Sequence, residues 1–126
     1  MAKRDEWKII PIEPDNAGTE FGTGNPEDDA VLWEIAKHSP LDQPRHWIHF
    51  LPCRDKASAT AAGAAVAEGS WSVKVTSSRW GRKWCVIAEQ HDVVTSPEKV
   101  REARLFFEDI ASRIQGVSYD GWQASA

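Results

Sequence analysis

Between Lys83 and Trp122 the chain alternates a strand, a long amphipathic helix and a second strand, which is half of a split βαβ sandwich and leaves few ways for the rest to fold. The first strand pattern is Lys83-Trp84-Cys85-Val86-Ile87-Ala88-Glu89-Gln90-His91, nearly all apolar at its centre. Thr95 or Ser96 then caps a helix with Pro97 at its first position and Glu98 behind it. Within that helix Val100, Ala103, Phe107, Ile110 and Ile114 recur every three or four residues, flanked by Leu105, Phe106 and Ala111, which makes a core-facing stripe. Val117-Ser118-Tyr119-Asp120-Gly121-Trp122 reads as the closing strand.

The middle of the chain supplies the other half. Arg45-His46-Trp47-Ile48-His49-Phe50-Leu51 is rich in aromatic and β-branched residues and ends at Pro52, as a first strand does. Residues 55–68 are alanine-rich and end at Gly69, a helix whose Ala62, Ala65 and Val66 let it approach a sheet closely. Trp71, Val73 and Val75 alternate with Ser72, Lys74 and Thr76, a strand that buries one face, and residues 77–82 form a polar hairpin loop. The order β-α-β-β-α-β predicts an α+β, ferredoxin-like two-layer sandwich: four antiparallel strands with both helices on one face. The opposite face stays open unless another segment or a partner covers it.

In front of this unit, Asn25-Pro26-Glu27-Asp28-Asp29 has a cap residue, a proline at the first position and three acids where a helix macrodipole favours them, so an additional N-terminal helix starts here. Leu32, Ile35 and Ala36 give it a short apolar face, with Val31 and Trp33 beside it, and Ser39-Pro40 closes it. Residues 1–24, broken by Pro11, Pro14, Gly18, Gly22 and Gly24, read as a flexible acidic leader ahead of a domain over 25–126. One stretch of the leader, Trp7-Lys8-Ile9-Ile10-Pro11-Ile12, is apolar enough to lie along a sheet edge.

Charge narrows the partners. Residues 1–44 carry four Lys/Arg against ten Asp/Glu and residues 45–126 eleven against nine, so the acid sits in front and the whole has net charge −4. Affinity for phosphate backbones needs clustered positive charge, so nucleic acid is not the default partner. Cys53 and Cys85, without a secretory leader, suggest reduced thiols in a cytoplasmic protein, and no apolar run is long enough to cross a bilayer.

The chemistry-bearing residues give no catalytic pattern. His46, His49, Cys53, Cys85 and His91 invite a metal reading, but side chains three apart on a strand face opposite ways, so His46 and His49 cannot share an ion; no metal site and no cofactor are expected. Cys53 with His49 lacks the oxyanion donors a nucleophile needs, and Glu89 with Asp120 lacks a pocket. For Tyr119-Asp120-Gly121-Trp122 the favoured role is structural, with Tyr119 in the core and Trp122 over a sheet face. The functional alternative puts Trp122 and Asp120 on the open face, opposite to Tyr119, joined by one of two sets of the first strand, Trp47/His49/Leu51 or His46/Ile48/Phe50, and by Ile87 and Glu89; Trp47, His49, Ile87, Glu89, Asp120 and Trp122 are its candidate docking residues. RNA stacking on open-sheet aromatics is its rival, although Arg79, Arg82 and Lys83 are the sole local basic cluster.

The terminal Tyr119-Asp120-Gly121-Trp122 after a long helix resembles the regulator of ribonuclease E activity B family, as does the order of elements from Glu27 to Trp122. The resemblance implies a ferredoxin-like, non-enzymatic protein that binds an endoribonuclease of the ribonuclease E type and lowers its activity by contact, without a cofactor. Well-known members carry acidic stretches, including one after this strand, whereas here the acidity lies at the front.

Overall fold

A computed structural model describes residues 21–78 and 83–125. The leader through residue 20, with the apolar stretch at 7–12, and the hairpin residues 79–82 lie outside the described residues. Three helices and four strands follow in the order α1 (Pro26–Ala36), β1 (Arg45–Cys53), α2 (Lys56–Ala67), β2 (Ser72–Ser77), β3 (Trp84–Val93), α3 (Pro97–Arg113) and β4 (Trp122–Ala124). The strands form one antiparallel sheet in the order β2-β3-β1-β4. Both βαβ crossovers therefore skip a strand, as the ferredoxin-like reading requires, and the architecture is the α+β sandwich with an additional N-terminal helix.

Each helix begins where its cap residue dictates. The Asn25, Asp55 and Ser96 side chains accept from the backbone N–H three residues on, and Pro26 and Pro97 occupy first-turn positions where a missing N–H costs nothing. At α2 the bond is reciprocal: the Ser58 hydroxyl accepts from the Asp55 N–H at 3.2 Å. Along α3 the stripe Val100, Ala103, Phe107 and Ile110 is buried, as its spacing predicts, while Leu105 is exposed.

Alternation along β1 is regular: Arg45, Trp47, His49, Leu51 and Cys53 are buried, and the residues between them are half-buried. On the helix side Trp47 and Leu51 meet Val86 and Ala88 of β3, Ala59, Ala62 and Val66 of α2, and Phe107 of α3. Trp71, just before β2, turns its ring into the same cluster, with centroids 5.3 Å from Trp47 and 5.0 Å from Phe107.

Two strands depart from their sequence patterns. Residues 117–122 read as one strand, but regular pairing is confined to Trp122–Ala124. The segment before it still follows β1, its Ser118 and Asp120 N–H groups donating to the Pro52 and Phe50 carbonyls at 3.0 and 2.9 Å. Its pleat is interrupted because Gly116 and Gly121 take φ of +89° and +92°, a region open to glycine. β2 buries less than its alternation promised, Val75 being 42 % exposed. It is an edge strand facing the small side of α2, where a methyl group added at Gly63 would lie 3.2 Å from Val75 Cγ2.

Phe107 has no exposed surface and its ring meets His49, Trp71, Phe106 and Tyr119. Phe107→Ala is expected to lower unfolding stability by about 3–5 kcal/mol. Urea denaturation checks this as a drop in midpoint at unchanged slope; a loss below about 1 kcal/mol would place the core elsewhere.

Candidate protein-binding site

Asp28 occupies the first turn of α1 on the same side as Leu32 and Ile35, four and seven residues on, so the helix face that buries those two buries its carboxylate as well. Arg104 of α3 meets it with two nitrogens, Nε to Oδ2 at 2.6 Å and Nη2 to Oδ1 at 2.8 Å. The Trp122 indole Nε1 donates to Oδ1 at 2.9 Å. One buried carboxylate thus ties together α1, α3 and β4, while α2 joins the same side of the sheet through Ala59, Ala62 and Val66 in the core. Arg104 also donates to Glu108 at 2.8 Å and stands 5.0 Å from the centre of the Tyr119 ring. Hydrogen bonding to Asp28 raises the guanidinium's pKa above its already high ordinary value.

The network continues inward. Tyr119 stacks on Phe107 with centroids 5.4 Å apart, and its hydroxyl lies 2.7 Å from His49 Nδ1. Burial pushes the Tyr119 phenol up and drops His49 to about 3, the Arg104 charge adding to the latter. His49 Nε2 has no hydrogen-bond partner among the described residues. His49 is consequently a neutral ring in an aromatic core.

This interior overturns half of the expected docking surface. Trp47, His49 and Trp122 are 2 %, 0 % and 6 % exposed and face the helices. Alternation from Tyr119 would have sent Trp122 outward, but the positive φ at Gly121 turns the chain between them, so both aromatics point inward. Ile87 and Glu89 do stand on the open face, opposite Phe50 and Ile48 in the β1–β3 register, and Asp120 is exposed at its margin beside Phe50. The open face therefore presents Ile48, Phe50 and Ile87, half-buried and outside the core cluster, bordered by Glu89 and Asp120. Period-two alternation does not choose which set of a strand faces in; in β1 Trp47 and His49 face the helices and Ile48 and Phe50 face outward.

The remaining chemistry is equally resolved. The Cys53 thiol points at the Leu51 carbonyl at 3.2 Å, not at His49, and burial raises the pKa of both Cys53 and Cys85 away from the thiolate. Glu89 pairs with His46, its Oε2 2.7 Å from Nε2, and does not meet Asp120. His46 and His49 face opposite sides, as the strand period requires, but His46, Glu89 and His91 are brought together.

Asp28→Asn removes the charge opposite Arg104 and is expected to cost about 3 kcal/mol, the low end for a broken buried pair because Arg104 keeps some solvent. A loss below about 1 kcal/mol in urea denaturation would mark the pair as no stronger than a surface one. His49 gives a pH dependence of definite sign. Its folded pKa of about 3 lies below the ordinary 6.5, so the unfolded chain takes the proton first and stability falls as pH drops through that window. Between pH 6.5 and 5 the contribution is about 2 kcal/mol, and His49→Phe is expected to flatten the stability profile by that amount. An unchanged slope in the variant would remove His49 as its source.

Compared with curated proteins one by one, the chain matches none significantly. A family model described as regulator of ribonuclease activity B matches residues 25–124, from the cap of α1 to the end of β4. That span contains the whole Asp28–Arg104–Trp122 junction and the open face, and the chain belongs to the regulator of ribonuclease activity B family.

Proposed function

We propose that this protein lowers the activity of an endoribonuclease of the ribonuclease E type by binding it in the cytoplasm, through the open face of its sheet and without chemistry of its own. The observation that carries the reading is the apolar strip of Ile48, Phe50 and Ile87 across the two central strands, with all three helices on the other side. Membership of a family described as regulators of ribonuclease activity supports a ribonuclease as the partner. A strip of three large apolar groups bordered by carboxylates has the make-up of an interface core with a polar rim.

Charge and aromatic placement favour a protein over RNA on this face. Base stacking needs several exposed rings, and Trp47, Trp71 and Trp122 are spent in the core, so that among the described residues this face keeps Phe50 and two histidines stacked on each other. The chain's net charge of −4 adds no attraction for phosphates.

The test is cleavage of a structured RNA by ribonuclease E with added protein. The rate is expected to fall to a plateau with increasing protein, and Phe50→Glu to need roughly 30-fold more, the effect of losing about 2 kcal/mol at the centre of an interface. Phe50→Glu acting like the native protein would move the contact off this face. A rate unchanged at saturating protein would remove the inhibitor reading, and affinity for RNA alone that falls steeply with salt would replace it with direct RNA binding.

A further inference from the structure

Near its C-terminal end β3 spends one residue more than its partner: Trp47 opposes Gln90, but Arg45 opposes Val93. The extra residue is accommodated at Asp92, a non-glycine residue with φ of +57°. Bulges of this kind re-aim side chains. Continuing the Trp47–Gln90 register by one residue sets His46 opposite His91 on the open face, where their rings stack with centroids 4.2 Å apart and planes 8° from parallel. Glu89 stands two residues before His91 on the same face and reaches His46 Nε2 at 2.7 Å. One donor atom from each of the three lies within 4.8 Å of the other two.

We propose that His46, Glu89 and His91 form a binding site for a divalent transition-metal ion, with zinc the best match. Two imidazoles and a carboxylate are a donor set that zinc accepts with a fourth position left for water, whereas calcium and magnesium prefer all-oxygen sites. Metal–ligand distances of about 2.1 Å in a tetrahedral site place neighbouring donors about 3.4 Å apart. The widest separation among the three groups needs to close by about 1.4 Å at most, while His46 Nε2 and Glu89 Oε2, now 2.7 Å apart, need to open by about 0.7 Å. Parallel rings aim their lone pairs side by side and not at one point, so one ring has to turn. His91 is exposed and has room to do so, while His46 and Glu89 are half-buried and fixed by their strands. The site stands on side chains distinct from Ile48, Phe50 and Ile87, so it does not depend on the face binding a ribonuclease.

Calorimetric titration of the metal-free, reduced full chain with zinc tests it. One ion per chain is expected, with affinity falling at least about 10-fold in His46→Ala, His91→Ala and Glu89→Gln, since even an outer-shell partner costs that much. His38→Ala and Cys85→Ser, which alter an exposed histidine elsewhere and the thiol on the same face, are expected to bind as the native chain does. Ring-nitrogen NMR signals of His46 and His91 should shift with zinc while those of His38 and His49 stay in place, a readout that needs no variant to fold. Absence of binding, binding that survives loss of both His46 and His91, binding lost with Cys85→Ser, or zinc-induced shifts at other histidines would each overturn the proposal.

Discussion

The carboxylate of Asp28 is the point on which the helix layer closes. A charge with almost no exposed side chain is tolerable when its lone pairs are filled, and here a guanidinium on α3 and an indole on β4 fill them. The junction joins residues 76 and 94 positions apart in sequence. It does what three short apolar faces would not do alone: it fixes α1, whose own buried apolar surface is little more than Leu32 and Ile35, against the rest of the domain. With α1 held there, the three helices cover one side of the sheet, with Val75 at the β2 edge still 42 % exposed, and among the described residues no helix covers the other side.

The same junction explains why Tyr119-Asp120-Gly121-Trp122 is a legible signature. Tyr119 stacks beneath Arg104 and reaches His49, Gly121 supplies a turn that a side chain would strain, and Trp122 reaches Asp28. Three of the four residues are spent on internal architecture. Asp120, between them, is the member left at the surface.

Most of the fold was readable because it rests on local rules. The cap at Asn25, the alternative caps Thr95 and Ser96, the prolines at helix starts, the alanine run ending at Gly69 and the stripe from Val100 to Ile110 placed the helices close to where they lie. The binding face was read less well, for two physical reasons. Period-two alternation divides a strand into two sets without saying which is inside, and in β1 the set containing Trp47 and His49 went to the core. The alternation also fails across a residue of positive φ, so Trp122 could not be placed by counting from Tyr119. Asp28 and Arg104 carry a sequence signal of their own: each is a charged residue in register with an apolar stripe, Asp28 with Leu32 and Ile35, Arg104 with Val100 and Phe107. His46, Glu89 and His91 were hidden because a bulge and a cross-strand pairing, not a sequence spacing, bring them together.

What results is a domain with an aromatic, charge-pinned helix side and, among the described residues, an open side that carries the apolar strip proposed to meet a partner. Methyl NMR on the chain mixed with ribonuclease E tests this division most directly, because isoleucines mark both sides. The account predicts that the Ile48 and Ile87 methyl signals shift or broaden on adding the enzyme while those of Ile35 and Ile110 remain unchanged. Perturbation confined to Ile35 and Ile110 would contradict it.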